Sequence, residues 1–379
     1  MNFDLSEEQN ILKKMAHDFL AEKFPHNIVS ELESSELGYS PEIWREMAEL
    51  GWMGLVFPEK YGGYGMSFLD LAVLLEEMGR VALPGPYFST VVLGGLPILD
   101  IGSEEQKQRY LPEIASGKLL ATLALTEPNA RYDAAAIEVK ASADKDNYAI
   151  DGTKLFVPDA NMADYMLVVA RTDEKTRAED GITIFIVDTK SPGIRRTLLK
   201  TISNDKLYEV HFNHVSVPRE NILGELNKGW NETHKIIQRA AVALCCEMVG
   251  GAQQVLEMTV DYARERLQFG HPIGSFQAVR HYCANMATDI DGSRLVTYRA
   301  AWTLSKGLPC AWETGVAKVW TGNTYQRVTA LSHQIHGALG FTMDYGLHFY
   351  SRRAKAAEVT FGDAGFHREV VAQEIGLNN

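Results

Sequence analysis

The spacing of apolar residues changes twice along the chain, and these changes limit the folds that it can adopt. Up to about residue 120, apolar residues recur every three to four positions, which is typical of amphipathic helices. Between about 121 and 225 they form short runs rich in β-branched and aromatic residues, such as GITIFIVDT and YEVHFNHVSV, which are typical of strands. From Trp230 onward the helical spacing returns. Helices therefore precede and follow one block of strands, an order that neither a doubly wound sheet nor a (β/α)8 barrel has.

This order predicts an α+β protein in three segments. We expect an N-terminal helical domain at 1–120, a central β domain at 121–229 and a C-terminal four-helix bundle at 230–379. Four helix-start signals support the first segment: Ser6, Ser40 followed by Pro41, Ser67 with Asp70, and Ser103 with Gln106. In the last segment, glycine and proline interruptions divide the sequence into predicted helices at 230–268, 275–306, 310–333 and 346–375.

Composition argues against several classes of protein. The chain of 379 residues has 37 Lys and Arg against 49 Asp and Glu, and its net charge of −12 gives no electrostatic attraction to nucleic acid. The four cysteines have neither a CxxC pair nor the spacing of a disulfide framework. The sequence contains no run of eighteen apolar residues, and its N-terminal segment lacks the apolar region of a secretory signal. We therefore expect a cytoplasmic protein with reduced thiols that neither inserts into a membrane nor binds nucleic acid.

Two glycine-containing helix junctions are candidate phosphate-binding segments. In RLQFG at 266–270, the arginine can bind a diphosphate through two hydrogen bonds and the aromatic ring can stack on a nucleotide. In QIHGALGFT at 334–342, backbone amides can face a phosphate or a ribose. Each segment by itself is more typical of a turn that ends a helix. His336 in the second segment is more typical of local packing than of catalysis.

Two further segments precede these junctions, LTEPNARYD at 125–133 and GTKLFVPDA at 152–160. In this order and at these spacings, the four segments resemble those of the acyl-CoA dehydrogenase family over essentially the whole chain. The resemblance implies a helical domain, a β domain and a four-helix bundle that hold FAD and a CoA thioester. It also implies an oligomer, because in the family the RxxFG segment of one subunit and the QxxGG segment of its neighbour both contact FAD.

The resemblance assigns cofactor contacts residue by residue. In the family, the RxxFG and QxxGG segments hold the ADP half of FAD, and the Thr-Glu-Pro segment lies beside the flavin pyrimidine. An aromatic residue followed by a small hydroxyl residue shields the flavin ring. The corresponding positions here are Leu125, Thr126, Phe156, Pro158, Arg266, Gln268, Phe269, Gln334 and Gly337. Pro158 lacks the hydroxyl group of the family, and Ala338 replaces the second glycine of QxxGG.

The substrate side departs further from the family pattern. The usual Gly-Ser-Asp after Thr-Glu-Pro is replaced by Arg131, Tyr132 and Asp133, so Tyr132 takes a position that contacts CoA in the family. The carboxylate that removes the α-proton in much of the family corresponds to Phe361, in the sequence Phe-Gly-Asp. A phenyl ring cannot accept a proton, whereas the backbone N–H at 361 can still polarise a thioester carbonyl, as it does in the family. Tyr132 and Phe361 are the expected substrate contacts.

Glu247 is the candidate replacement for the missing base. Some family members carry the base on the long helix before RxxFG, near a position that corresponds to Ala240, and Glu247 lies two helical turns further along the same face. It belongs to the apolar run AAVALCCEMVG, where burial of an unpaired carboxylate would cost roughly several kcal/mol. The alternative, at even weight, is an ion pair with an arginine of a neighbouring helix. Asp363 and Glu358 are weaker candidates, because a helix terminus and a solvated helix face explain them.

Three functions are consistent with these residues. By the resemblance, the first is FAD-dependent α,β-dehydrogenation of an acyl-CoA thioester, with hydride transfer from Cβ to flavin N5 and an electron-transfer flavoprotein as oxidant. The second is the base-deficient partner subunit of a heteromeric acyl-CoA dehydrogenase, because Phe-Gly-Asp resembles subunits of such assemblies. The third is a lyase or desulfinase on the same fold that needs no α-proton removal. We expect a homo-oligomer or a heterotetramer with a related subunit, and we expect no metal site.

Overall fold

The computed structural model describes residues 4–174 and 176–377, and the chain groups into two compact units. One unit comprises Met1–Glu31, Ser67–Leu83 and Ala241–Asn379, and the other comprises Leu32–Met66 and Pro84–Ala240. This grouping differs from the three predicted segments, because helices of the first 120 residues are divided between the two units. The secondary structure along the chain still follows the predicted order of helices, strands and helices, so the α+β class is confirmed.

Helices form the first part of the chain, together with one π-helical segment at Phe88–Gly95. The α-helices are α1 (Glu7–Lys23), α2 (His26–Ser34), α3 (Pro41–Glu49), α4 (Phe68–Arg80), α5 (Leu96–Ile101) and α6 (Glu104–Ala115). The predicted start signals are confirmed. Ser6, Ser67 and Ser103 form capping boxes with the third helical residue, and Ser40 caps α3 with Pro41 in its first turn.

The central strands form one mostly antiparallel sheet. They are β1 (Ala121–Ala124), β2 (Lys140–Asp144), β3 (Asn147–Pro158), β4 (Tyr165–Arg171), β5 (Ile182–Asp188), β6 (Ile194–Leu198), β7 (Leu207–Pro218) and β8 (Ile222–Leu223). The strand order is β6-β7-β3-β2-β4-β5-β8, and β1 pairs with β4 in parallel. Strands β4 and β5 are almost continuously buried, so the apolar runs of the sequence become the core of the sheet.

Long helices form the C-terminal part. They are α7 (Gly229–Glu265), α8 (Gln277–Ser305), α9 (Ala311–His336), α10 (Leu347–Val359) and α11 (Ala364–Glu374). A small hairpin of β9 (Leu267–Gln268) and β10 (His271–Pro272) joins α7 to α8. The prediction of a single helix over 346–375 is wrong. The helix is broken between Val359 and Ala364, where Phe361 and Gly362 have φ values of +59° and +97° that no α-helix contains.

Glycines allow α4 and α7 to pack backbone to backbone. A Cβ atom on Gly79 of α4 would lie 2.0 Å from the carbonyl oxygen of Glu247, and one on Gly250 of α7 would lie 1.8 Å from that of Glu76. Both distances are impossible, so only glycine permits this crossing. Within the part of the chain that the structure describes, no helix is long and apolar enough to cross a membrane.

Candidate active site

A buried ion pair fixes the segment that follows β1. Lys154 of β3 is completely buried, and its Nζ donates to the carbonyl oxygen of Leu125 at 2.9 Å and to Oε1 of Glu127 at 2.6 Å. The Glu127 carboxylate also accepts the backbone N–H groups of Glu138 and Val139. Burial lowers the pKa of Lys154 to about 8, and Glu127 opposes this shift. The pair therefore holds the Thr-Glu-Pro segment in one position beside β3.

This pairing leaves two backbone donors on the other side of the segment. The carbonyl of Leu125 faces Lys154, and the carbonyl of Thr126 accepts the N–H of Leu155 at 2.8 Å. In trans peptides the N–H points away from the preceding carbonyl, so the N–H groups of Thr126 and Glu127 are directed away from β3. Among the described residues, neither N–H has an acceptor. Two adjacent unpaired donors fit the edge of a flavin pyrimidine, whose oxygen and nitrogen atoms accept hydrogen bonds.

A β-bulge presents the aromatic ring of Phe156. The register between β3 and β7 shifts between Lys154 and Val157, and Phe156 has a φ of +54° with 48% of its surface exposed. The left-handed conformation costs a residue such as phenylalanine roughly 1–2 kcal/mol, and bulges that re-aim side chains are common beside active sites. Pro158 follows, with its carbonyl accepting the Thr122 hydroxyl at 2.6 Å, and it offers no hydroxyl of its own. An aromatic stacking surface is thus present without the neighbouring hydroxyl.

The RLQFG segment forms a tight, exposed hairpin at the end of α7. Phe269 and Gly270 occupy its two turn positions with φ values of +54° and +80°, a combination that favours Asn-Gly. The side chain of Phe269 is 89% exposed, and Gln268 is exposed beside it. The exposed Arg266 guanidinium has no hydrogen-bonding or charged partner in the described part of the chain. The Phe269 ring contacts Phe276 edge to face at 6.2 Å, and its exposed surface, the amide and the cation can bind a nucleotide.

The QIHG segment ends at the same end of the bundle. Helices α7 and α9 run side by side, as two contacts show. The hydroxyl groups of Thr259 and Ser332 lie 2.7 Å apart, and the rings of Tyr262 and His336 stack with their centroids 4.5 Å apart. Tyr262 is four residues before Arg266, which brings the two motifs to one end of one protomer. Every copy of the chain carries both motifs, so it stays a prediction from the resemblance that one FAD contacts the RxxFG segment of one subunit and the QxxGG segment of its neighbour.

His336 packs inside this end of the bundle, as predicted. Its Nδ1 donates to the carbonyl oxygen of Ser332 at 2.8 Å, and its Nε2 accepts the hydroxyl of Tyr345 at 2.9 Å. Burial lowers the pKa of its imidazole, which keeps the ring neutral in this network. The exposed Gln334 and Gly337 flank the buried ring, and Gly337 adopts a φ of +60°.

The two expected substrate contacts are placed differently in the fold. Phe361 is 9% exposed and occupies the left-handed turn between α10 and α11. Tyr132 is half-buried in the loop before β2, next to an ion pair between Arg131 and Asp133 at 2.7 Å. No carboxylate occupies position 361, so the turn offers peptide groups rather than a base.

Glu247 is half-buried at the crossing of α4 and α7, where its backbone contacts Gly79. Tyr325, on α9, is fully buried; burial raises the pKa of its hydroxyl, Arg353 opposes the shift and Glu247 adds to it. Glu247 and Arg353 thus shift the pKa of the Tyr325 hydroxyl in opposite directions. The base and the ion-pair interpretations of Glu247 both stay predictions.

Comparison with known proteins agrees with this geometry. Residues 6–118, 122–215 and 227–376 match the N-terminal, middle and C-terminal domains of acyl-CoA dehydrogenases. The probable acyl-CoA dehydrogenase YngJ of Bacillus subtilis is 33% identical over 99% of this chain and 100% of its own. The chain belongs to the acyl-CoA dehydrogenase family. Its members are FAD-dependent oxidoreductases, and this chain is a flavoprotein of that type.

Two further relatives are parts of complexes. The CarC subunit of the caffeyl-CoA reductase-Etf complex of Acetobacterium woodii is 31% identical over 97% of this chain and 98% of its own. The solved ChsE4-ChsE5 complex of Mycobacterium tuberculosis contains a chain that is 26% identical, with a TM-score of 0.91 and coverage of 100% of both chains. Proteins similar to this chain therefore include a subunit of an Etf complex and a chain of a complex between two different proteins.

Besides Lys154, two further buried ionisable residues of this acyl-CoA dehydrogenase were not singled out from the sequence. Asp159, directly after β3, has a φ of +52°, and its carboxylate accepts the Ser89 hydroxyl at 2.6 Å. Burial raises its pKa to about 7. Lys318 lies inside the bundle on α9. A charged residue within an apolar stretch was the available signal, and it was applied to Glu247 but not to Lys318.

Proposed function

We propose that the chain uses FAD in the α,β-dehydrogenation of an acyl-CoA thioester. The observation that carries this proposal is the pair of unpaired N–H donors at Thr126 and Glu127. Their segment lies beside β3, where Leu155 donates to Thr126, and the next residue of β3 is Phe156 with its exposed ring. A planar, hydrogen-bonding ring system fits such a surface, and FAD is the cofactor of the family. When bound, FAD supplies the hydride-accepting chemistry at N5.

The residues of the chain would bind and orient FAD and the CoA thioester. Leu125 and Thr126 would hold the pyrimidine edge, with Lys154 and Glu127 keeping the segment rigid, and Phe156 and Pro158 would cover the flavin ring. At the end of the bundle, the ADP half would be bound by Arg266, Gln268, Phe269, Gln334 and Gly337. Arg266 supplies the charge for the diphosphate. Tyr132 and the turn at Phe361 would contact the CoA thioester, with the turn polarising its carbonyl through peptide N–H groups.

A second function is favoured by Phe361. Because this side chain cannot remove the α-proton, the chain would serve as the partner that completes a related subunit's site in a heteromeric acyl-CoA dehydrogenase. The similarity to a chain of the ChsE4-ChsE5 complex supports this alternative. An electron-transfer flavoprotein is the proposed oxidant, supported by the similarity to the subunit of the caffeyl-CoA reductase-Etf complex.

The test is to purify the chain alone and with a co-expressed family member, and to record flavin content and flavin bleaching by CoA thioesters. We use butyryl-CoA, octanoyl-CoA and a ring-bearing acyl-CoA. Bleaching by the chain alone supports a complete dehydrogenase, and bleaching only with the second chain supports the partner role. Turnover of a CoA thioester without any electron acceptor would indicate a lyase and contradict both. Protein that takes up no FAD in either form would also contradict both.

Glu247→Gln separates a base from an ion pair, because it preserves volume while removing the charge. If Glu247 is the base, the variant keeps its FAD and thermal stability, and flavin bleaching slows by at least about 100-fold, as expected for the loss of a general base. The ion-pair interpretation predicts a lower melting temperature with bleaching retained. Glu257→Gln, on the same helix and paired with Arg80, is the control for a purely structural pair.

A further inference from the structure

A buried lysine from α9 holds the turn that carries Phe361. Lys318 has 1% of its surface exposed, and its Nζ donates to the carbonyl oxygens of Ala357 at 2.8 Å and of Glu358 and Gly362 at 2.9 Å each. An ammonium group has three N–H donors, so all three are used. Two of the acceptors belong to the last turn of α10, whose final carbonyls lack partners within the helix. Lys318 thus joins the end of α10 to the turn that follows.

A histidine holds the neighbouring peptide of the same turn. His367 of α11 is buried, and its Nε2 lies 2.9 Å from the carbonyl oxygen of Phe361, to which it must donate because a carbonyl only accepts. With the carbonyls of residues 361 and 362 both held, trans peptide geometry directs the N–H groups of Gly362 and Asp363 to the opposite side. Neither N–H has an acceptor within residues 4–174 and 176–377. The hydrogen bonds from Lys318 and His367 stabilise the left-handed backbone conformation of Phe361, which would otherwise be unfavourable.

The buried cation is balanced by peptide dipoles. In the described part of the chain no carboxylate lies within ion-pair distance of Lys318; its titratable neighbours are Cys245 on α7, Glu358 on α10, and Asp363 and His367 at the start of α11. The carbonyl end of a helix carries a partial negative charge that stabilises a cation. Because Lys318 donates to three backbone carbonyls, it determines how three peptide groups are oriented. A lysine paired with a carboxylate would not orient these peptides.

We propose that Lys318 is a positioning residue that holds the turn at Phe361 and Gly362 so that the peptide N–H groups of Gly362 and Asp363, adjacent to the N–H of residue 361 assigned from the resemblance, face the thioester carbonyl of the substrate. This inference rests on the proposed function. It gives the turn a role that does not depend on the base side chain, because backbone donors polarise a carbonyl whatever residue stands at 361.

The proposal predicts a dependence on alkaline pH. Burial lowers the pKa of Lys318 to about 8, so above this pH the amine loses one of its three donors. Two of its neighbours stay neutral in this range, since burial raises the thiol pKa of Cys245 to about 12 and lowers the imidazole pKa of His367 to about 4. The turn should therefore loosen between pH 7 and pH 9 in the wild-type protein.

The experiment compares Lys318→Met with Lys355→Met in the FAD-loaded protein. Lys355 is an exposed lysine of α10 that pairs with Glu358 at 2.6 Å, so its removal controls for loss of a nearby charge. Amide hydrogen exchange of 359–366 is followed by mass spectrometry, and affinity is measured with acetoacetyl-CoA as the thioester probe. In Lys318→Met we expect exchange in this segment at least tenfold faster and thioester affinity at least tenfold weaker, with flavin content unchanged. Lys355→Met should match the wild type in both.

The pH dependence provides a readout that a merely structural lysine would not affect. The dissociation constant of acetoacetyl-CoA should rise about tenfold between pH 7 and pH 9 in the wild type and stay constant in Lys318→Met. If that variant does not fold, amide exchange of the wild type at pH 7 and pH 9 tests the proposal. Exchange of 359–366 should then accelerate more than the intrinsic effect of pH on amide exchange, and exchange of other segments should not. Unchanged exchange in this segment overturns the proposal, as does unchanged affinity. Absence of thioester binding by the wild type, alone and with a partner chain, overturns the proposed function, while faster exchange in the variant remains a separate observation.

Discussion

Three phenylalanines, Phe156, Phe269 and Phe361, adopt left-handed backbone conformations, and each lies in a segment that the sequence resemblance assigned to the site. Sequence reasoning could identify these positions because the surrounding motifs have a fixed order. It could not predict their conformations, because phenylalanine disfavours positive φ and nothing local indicates it. The strain is maintained by contacts from elsewhere in the chain, such as those of Lys318 and His367 at Phe361.

Asp159 also has a positive φ, and burial of its carboxylate adds a further cost. Burial raises its pKa to about 7, partly opposed by the Ser89 hydroxyl. Between its unfolded pKa of 3.8 and about 7, the folded state binds the extra proton, so stability falls as the pH rises through this range. Asp159→Asn removes this dependence, keeps the volume and tolerates the left-handed conformation.

We therefore expect Asp159→Asn to stabilise the protein at pH 8 by at most about 4 kcal/mol and to have little effect near pH 4. Urea unfolding of both proteins at several pH values measures this difference. Asp144→Asn, at the exposed end of β2, is the control and should leave the midpoint unchanged at every pH. A variant that is less stable at pH 8 than the wild type would show that the carboxylate makes a net stabilising contact.

The hairpin of β9 and β10 is the element in which stability and binding conflict most clearly. Its turn favours asparagine at the position of Phe269, yet the chain places there an aromatic ring that is 89% exposed. Phe269→Asn should stabilise the protein without FAD by roughly 1 kcal/mol through relief of backbone strain. The same variant should bind FAD at least fivefold more weakly, because an aromatic contact to the nucleotide is lost.

Thermal unfolding of the FAD-free protein and fluorescence titration with FAD measure these opposite effects. Leu308→Asn, which removes another exposed apolar side chain between α8 and α9, should change neither quantity. Equal FAD affinity of Phe269→Asn and the wild type would exclude Phe269 from the cofactor site.

Helix starts were predictable where helix ends were not. A capping serine acts on amides within its own first turn, so Ser6 and Ser103 identify α1 and α6 from sequence alone. The break between α10 and α11 depends instead on Lys318, which is distant in sequence, and the local pattern over 346–375 remains helical through it. For the same reason, the sequence could not predict that α4 packs with the C-terminal helices through Gly79 and Gly250.

Across the whole chain, the order of helices, strands and helices was predicted from periodicity, whereas the assembly depends on exposed surfaces that periodicity does not identify. Trp320 of α9 is 50% exposed and lies against Gly292 of α8, and Leu295, one turn further along α8, is 48% exposed. A half-exposed tryptophan beside a leucine is typical of an interface with another protein. The expected oligomer therefore predicts that this face of α8 and α9 contacts the second subunit.

We expect the wild type to be at least dimeric at micromolar concentration, alone or with its partner chain, and Trp320→Glu to shift the mass toward the monomer. Introducing a carboxylate at a buried apolar contact leaves an unpaired charge in the interface, which costs roughly several kcal/mol and therefore orders of magnitude in affinity. Light scattering coupled to size-exclusion chromatography, with absorbance at 450 nm, measures mass and flavin together. Leu308→Glu, on an exposed loop of the same bundle, should leave the mass unchanged. An unchanged mass for Trp320→Glu would place the subunit contact on another face, and a flavin-loaded wild-type monomer would show that one chain completes the FAD site by itself.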